Sequence, residues 1–384
     1  MRKLLERTRL AMAESNNMGK LLTLPNDDRA VVVYAEDTFS YIQLKGYLRA
    51  LWVNHGVPYQ YVTSAPDDPL LEDPPPGATT WFIREQLARM MSSLECGIFI
   101  TTMPDLGNFQ VPRPKSGRAL YVFHSLNSTH TAYRSGAFDN YDQFMCTGPH
   151  HIEELGRLRP DSNPVLSEVG YYKLDLIREE HADWLERDAI EEDLVLLAPS
   201  WGRHNLLEAH GSEIIASLVT SGFRVIVRPH PQFFHSLYPE GAGVIGRLQE
   251  EFGVDHSVEF ELNIDSQDSF HRSALMISDW SGAAYEYALG THRRVLFIDT
   301  PQKIFNPGWE QIGLASFEGE MRDQVGEVLA TDSVHSTGNV AYDVIRRSRY
   351  SRSDLAELAS QKIFNLDESA RVGAEVIADT LSRS

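Results

Sequence analysis

The sequence predicts an α/β protein built of two parallel-sheet halves that face a central cleft. Three observations predict it. Short apolar or β-branched runs alternate with amphipathic stretches, the pattern of repeated strand-helix-strand units. The pattern runs through a first half and again through a second of similar size, and 384 residues suffice for two ordinary domains. Polar residues able to do chemistry recur just after the expected strands, where ligands sit in open α/β sheets. The halves read as Rossmann-like domains over 1–185 and 186–350, with closing helices over 351–384.

In the first half, Val31-Val-Val-Tyr34 is a buried strand, and Tyr41 to Asn54 a helix with Ile42, Leu44, Leu48, Leu51 and Trp52 on its apolar positions. Tyr59 to Thr63 is the next strand. Residues 65–79, rich in Pro, Asp and Gly, form a loop. A helix around Thr80–Met91 leads into a strand at Gly97–Ile100, and Ala119 to Phe123 is another. His124-Ser-Leu-Asn-Ser-Thr-His130 leaves that strand directly, which places His124 either for chemistry or as a hydrogen-bonded edge residue. Asp142 to Met145, a Gly-Pro-His-His turn at 148–151, a helix to about Arg159 and a strand from Val165 to Val169 complete the half.

The second half opens after an acidic helix near Asp175–Ile190. Leu194 to Ala198 is a strand ending in Pro199-Ser-Trp-Gly-Arg203, followed by a helix over Leu206–Ser221. Arg224-Val-Ile-Val-Arg-Pro-His-Pro231 is a strand ending in Arg228 and His230. A helical stretch follows near Gly241–Phe252, and a later strand covers Val295–Asp299.

Between them stands the segment around which the half is organised. Ala274 to Ile277 is a strand, Ser278-Asp-Trp-Ser-Gly282 a turn, Ala283 to Leu289 a helix, and Gly290 its stop. A small hydroxyl-rich turn at a helix N-terminus suits a phosphate, because unpaired N–H groups and the positive end of the helix dipole point the same way. In isolation Ser278 or Asp279 serves equally well as a plain helix cap. Two halves with polar strand ends imply a cleft between them, the layout of a GT-B type transferase, although fold alone does not settle function.

Composition narrows the classes. The net charge of −19 disfavours sequence-independent nucleic-acid binding, which needs a surplus of Lys and Arg at the contact. No apolar run reaches the length of a membrane span. The first ten residues carry Arg2, Lys3, Arg7 and Arg9 beside Leu4, Leu5 and Leu10, which reads as a frayed helix or a weak peripheral membrane contact. Two cysteines, Cys96 and Cys146, argue against a disulfide framework and point to a reducing, cytoplasmic setting. His150-His151 is adjacent rather than at helical ligand spacing and reads as a solvated loop. No metal ion and no cofactor is expected.

Five segments in order resemble the CDP-glycerol glycerophosphotransferases of teichoic acid synthesis, over roughly residues 119–305. They are the strand ending in His124; Gly170-Tyr-Tyr-Lys-Leu-Asp175; Leu197-Ala-Pro-Ser-Trp201; Arg228-Pro-His-Pro231; and Ser278-Asp-Trp-Ser281. They are similar to the family's His-Gly-Thr, Gly-Tyr-Pro-Arg-x-Asp, Ala-Pro-Thr-Trp, Arg-Pro-His-Pro and Ser-Asp-Tyr-Ser-Ser. The departures lie mostly in the first half: Ser125 and Leu126 follow the histidine, Tyr172 and Lys173 replace Pro and Arg, and a lysine shortly after the histidine is missing. In the second half, Gly282 replaces the last Ser, and Glu286 stands where the family has Asp.

The resemblance implies a transferase that moves a glycerol phosphate, or a related polyol phosphate, from a CDP-activated donor to an acceptor hydroxyl with release of CMP. The first domain then serves a lipid-linked or polysaccharide acceptor, the second the nucleotide, and the protein works at the inner face of the membrane. An acceptor hydroxyl needs a base that titrates near neutrality, and His124 is the candidate. Growing charge on the leaving group calls for cations and N–H donors: Arg228 and His230, with Ser278, Ser281 and the Gly282 amide cradling phosphate. Asp279 orients His230 or caps the helix, Glu286 takes the ribose hydroxyls, and Ser200, Trp201 and Arg203 line the nucleotide side. Two rival readings share the cleft: a GT-B glycosyltransferase or epimerase using a UDP- or CMP-sugar, and a non-catalytic nucleotide-binding scaffold subunit.

Overall fold

The computed structural model describes residues 2–383 except 110, 188, 203, 235–237, 263–265 and 349–350, with side chains described from residue 9 onward. Two sheets carry the fold. The first holds β1 (Val31–Ala35), β2 (Tyr59–Thr63), β3 (Ala78–Phe82), β4 (Glu95–Thr101), β5 (Ser116–Val122), β6 (Gln143–Cys146) and β7 (Val165–Glu168), in the order β3-β2-β1-β4-β5-β6-β7. The second holds β8 (Glu191–Leu197), β9 (Arg224–Val227), β10 (Val258–Phe260), β11 (Ser273–Ser278), β12 (Val295–Ile298) and β13 (Gly326–Leu329), in the order β10-β9-β8-β11-β12-β13. Every pairing described is parallel. Helices cover both faces, so all five residues of β1 and all six of β11 are buried. This is the expected pair of Rossmann-like sheets.

In each sheet the strand order reverses once, between β1 and β4 and between β8 and β11. At such a switch the flanking connections leave in opposite directions and open a crevice at the strands' carboxyl ends. The second crevice lies between the segments that begin at Ala198 and Asp279.

Three sequence expectations change. The span expected to be one helix over Thr80–Met91 splits into β3 and a helix, Leu87–Ser93. Its β-branched and aromatic start, Thr79-Thr-Trp-Phe82, pairs in register with Gln60–Thr63. His150 and His151 belong to a helix, Pro149–Leu158, with Pro149 in its first turn, and His151 is fully buried. Gly290 does not stop its helix. The helix Gly282–Thr291 runs past it to His292, which takes the left-handed cap at φ 53°. Gly290 instead leaves room for Ile177, whose Cγ2 occupies the place a Cβ would need.

Both ends of the chain are docked on the first sheet. The N-terminal helix, Arg2–Thr23, lodges Met18 and Leu21 in the first core. Its Glu14 accepts hydrogen bonds from the Arg84 and Gln86 amides at 2.7 and 2.6 Å. It is therefore anchored rather than frayed from that point on. The basic first turns fall largely on side chains outside the described set. After the second sheet the chain crosses back, and its last helix, Ser369–Ser382, lays Ala374 and Ile377 in the core beside Tyr47 and Leu51. No helix among the described residues is long and apolar enough to cross a membrane.

Candidate active site

The turn after β11 is built outward from Asp279. Its carboxylate is buried and accepts from the Ser200 amide at 2.7 Å and the Ser200 hydroxyl at 2.9 Å. Backbone hydrogen bonds at Leu206 and Trp280 complete its shell; burial still pushes its carboxyl above the ordinary value. Asp279 thus ties the segment after β8 to the turn after β11, across the switch point, and none of these bonds goes to His230. Ser278 is fully buried and donates to the Ala198 carbonyl at 2.8 Å, which turns its hydroxyl away from the helix N-terminus. Ser281 is the cap: extended backbone, with its oxygen accepting from the Ala283 amide at 3.4 Å.

Gly282, the first helical residue, faces the other domain. A Cβ there would stand 2.5 Å from Asn127 Oδ1 and 3.5 Å from Ser125 Cβ. Only glycine permits that approach. The consequence is functional: the loop that leaves β5 with His124 is pressed against the N-terminus of the helix Gly282–Thr291. His124 hydrogen-bonds the Thr102 backbone and lies edge-on to Tyr133 at 6.1 Å. Burial lowers its pKa, so the imidazole is neutral near pH 7 and able to accept a proton.

One turn along that helix, Glu286 is buried. The Tyr171 hydroxyl donates to its Oε1 at 2.7 Å, and the Lys173 ammonium meets its Oε2 at 2.7 Å. The same tyrosine oxygen lies 2.9 Å from the His124 carbonyl. The Gly170-Tyr-Tyr-Lys segment and the Ser-Asp-Trp-Ser helix therefore meet as one hydrogen-bonded unit behind His124. Glu286 was expected to hold ribose hydroxyls; here both its oxygens brace this inter-domain contact.

Arg228 is buried too. Its guanidinium donates to Glu261 at 3.1 Å and Ser269 at 2.7 Å, and lies over Phe270 at 5.2 Å. His230 is half-buried, its Nδ1 accepts from the Gln232 amide at 3.2 Å, and its ring sits 6.1 Å from that of Trp201. Trp201 is partly buried at the edge of the second core rather than sealed inside it. Arg203 lies outside the described residues.

Sequence reasoning missed Lys303. Its ammonium stands 3.3 Å from the Trp201 ring centre and 4.8 Å from that of Phe305, and donates to the Trp201 carbonyl at 2.8 Å. Burial pushes its pKa down to about 8, while Asp279 pulls the other way. It is a cation held on aromatic faces beside the turn after β11, a ready partner for phosphate oxygens. The available signal was its place in the loop after β12. The loop also reaches the first domain, with the Phe305 amide donating to the Thr131 carbonyl at 2.8 Å.

Beneath the His124 loop lies a buried polar layer between the domains. Glu154 accepts from the Thr129 amide and hydroxyl at 2.5 and 2.7 Å, and stands 3.4 Å from His130. Glu318, from the helix Phe317–Val325, accepts from the Ser128 amide at 3.1 Å. His150 and His151 reach the Leu126 and Asn127 carbonyls at 3.0 and 3.1 Å. This layer fixes the backbone of the loop that presents His124.

The fold is that of GT-B glycosyltransferases. The wall teichoic acid polymerase TagF superposes with a TM-score of 0.62 at 11% identity, over 100% of this chain and 98% of that one. A putative UDP-N-acetylglucosamine 2-epimerase from Listeria monocytogenes gives 0.56 at 14% identity, over 91% and 94%. A glycosyltransferase from Rickettsia africae gives 0.50 at 11%, over 92% and 99%. No protein-family model matches the chain, and no curated protein does.

Proposed function

We propose that this protein is a GT-B transferase that moves a glycerol phosphate, or a related polyol phosphate, from a CDP-activated donor to an acceptor hydroxyl of a teichoic-acid-like or surface polysaccharide. The observation that carries the reading is the contact of the His124 loop, through Ser125 and Asn127, with the N-terminus of the helix Gly282–Thr291: a base kept neutral by burial stands in the loop that meets a helix end suited to phosphate. The order of the five sequence segments supports the donor class. So does the resemblance in fold to a polymerase solved after a CDPG soak.

The donor's pyrophosphate lies at the N-terminus of that helix, with the Gly282 amide and Lys303 as donors. The acceptor oxygen attacks the phosphorus that bears the polyol, and His124 takes its proton. The bond from that phosphorus to the bridging oxygen breaks, and CMP leaves with the electron pair. Lys303 and the helix end stabilise the charge that gathers there. Asp279, Glu286 and Arg228 hold the site together rather than touch the reacting atoms.

The test is CMP release from CDP-glycerol, with CDP-ribitol, UDP-GlcNAc and CMP-sialate alongside, in the presence of a lipid-linked or polyol-phosphate acceptor. Acceptor-dependent CMP release that is lost in His124→Ala supports the reading. Turnover of a sugar nucleotide alone replaces it with a glycosyltransferase or epimerase. Tight nucleotide binding with no turnover of any donor replaces it with a scaffold role.

A further inference from the structure

A second feature lies at the opposite end of the first sheet. At the amino-terminal ends of β1, β4, β5, β6 and β7 opens a bowl of about 1160 Å³. Four arginines from three stretches of chain line it: Arg113, Arg118, Arg159 and Arg383. That concentration stands out in a chain of net charge −19. Two of the three acidic residues of the wall are committed, and the third, Asp27, is exposed. Asp142 takes Arg113 through both oxygens, at 3.2 and 2.6 Å, and the Ala119 amide at 2.8 Å. Glu95 is paired with Lys115 at 2.6 Å.

The remaining arginines are not neutralised in this way. Arg159 donates to the Tyr141 and Asp139 carbonyls at 2.6 and 3.0 Å, and no carboxylate among the described residues reaches it as an ion pair. Arg383 stands 3.9 Å from Asp379 in an exposed pair, too weak to cancel it. Arg118 is half-buried on β5, and no ion pair, hydrogen bond or ring contact of its side chain occurs among the described residues. Its guanidinium nitrogens stay in reach of the water that fills the bowl, where they can turn to an anion.

The floor of the bowl is largely backbone. Between Glu95 and Ile98 the β4–β5 register slips by one residue, a bulge that frees backbone at the sheet's end. Gly97 and Gly117 line the same place. A Cβ on Gly97 would stand 2.7 Å from the Ala30 carbonyl, and one on Gly117, at φ 112°, would strike the Cys96 carbonyl. The closeness of this neighbouring backbone requires glycine at both positions, so the floor carries no side chain there.

We propose that this bowl binds a soluble anion carrying several phosphate groups, held by Arg118 and Arg159 with Arg383 closing over it from the last helix. Guanidinium forks match phosphate oxygens in pairs, and the volume exceeds what one phosphate fills. β5 is a strand of seven residues, so the bowl lies roughly 20 Å from the His124 end of the sheet. Its occupant does not react; it anchors or regulates. The assignment does not depend on the chemistry of the cleft.

The probe is inorganic tripolyphosphate, followed by calorimetry on the full chain at 50 and 200 mM salt, in a Lys303→Met background that weakens the cleft as a competing site. One tripolyphosphate per chain is expected, bound more weakly at the higher salt as screening requires. Arg118→Ser should weaken it at least tenfold with no change in melting temperature, because that side chain supports nothing else. Arg159→Gln should weaken it as well, with a lower melting temperature from the lost bonds to the Tyr141 and Asp139 carbonyls. If it unfolds the protein, Arg118→Ser still decides. Absence of binding, or binding unchanged by Arg118→Ser, overturns the proposal. So does Arg118-dependent sedimentation with phosphatidylglycerol vesicles in a protein that ignores tripolyphosphate, which would make the bowl a membrane contact instead.

Discussion

At the scale of single residues, the proposed chemistry rests on two groups whose charge states are set by burial. His124 must be neutral to accept a proton, and its pKa lies below the ordinary 6.5. Lys303 must be charged to meet phosphate, and its pKa is about 8. Activity should therefore rise with pH through a point below 6.5 and fall above about 8. In Lys303→Met the alkaline limb should vanish while the acid limb stays, with kcat/KM down about 100-fold or more, as for removal of one transition-state charge partner. His124→Ala should cost about 100- to 10,000-fold with nucleotide affinity unchanged, read by calorimetry with CMP. The histidine was legible because it leaves a strand directly. The lysine was not: its significance comes from Trp201 and Phe305, which only the folded chain brings to it. Glu286 shows the converse. Its place one turn into a helix suited to phosphate suggested sugar contacts, and nothing in the sequence announced that Tyr171 and Lys173, more than a hundred residues earlier, would meet it. Glu286→Gln, which removes the ion pair and keeps the shape, should loosen the domain contact and lower kcat more than it raises KM.

The decisive element is the helix Gly282–Thr291. Its strand-turn-helix form was readable from an apolar run, a hydroxyl-rich turn and small helix formers. Its end was not, because Gly290 serves packing against Ile177 rather than termination. Ser281→Ala should cost about 1 kcal/mol of stability through the lost cap, measured by urea unfolding. Gly282→Val should cost far more activity than stability, since the added carbons drive Asn127 and the His124 loop off the helix end while the helix itself tolerates valine. Wild-type kcat in that variant, with a normal melting temperature, would remove the contact from the mechanism. β3 was missed for a different reason. Its sequence follows a Pro- and Gly-rich loop and is too short for periodicity to choose between strand and helix; pairing with β2 makes the choice.

For the molecule as a whole, the two sheets and their order of segments were legible from alternating patterns, but the seam between them was not. Seams are written in buried polar residues whose partners are remote in sequence. At this seam Glu318 is pushed up to about 7 by burial, so the folded state holds a proton that the unfolded state releases near 4.5. That contribution is full below about 4.5 and lost as pH rises to about 7. His150 and His151 act in the opposite sense, their lowered pKa values costing stability as pH falls below 6.5. The difference between Glu318→Gln and wild type isolates the carboxyl. It should grow in favour of the variant from pH 5 to pH 7.5, by up to about 3 kcal/mol, followed as melting temperature. A difference that stays flat across that range would mean the carboxyl is ionised throughout.

The return of the last helix to the first sheet has a consequence for how the protein is made. Ala374 and Ile377 complete the core around Tyr47 and Leu51, and Gly373 admits the Tyr47 ring against its backbone. During synthesis the first domain emerges first, yet that apolar face stays uncovered until Ala374 and Ile377 have left the ribosome. The cores around the second sheet draw on residues as far as Ile363, so that half too is completed late, shortly before the last helix arrives. The first half of the chain is thus translated first and completed last, and its apolar face is the one that stays exposed longest.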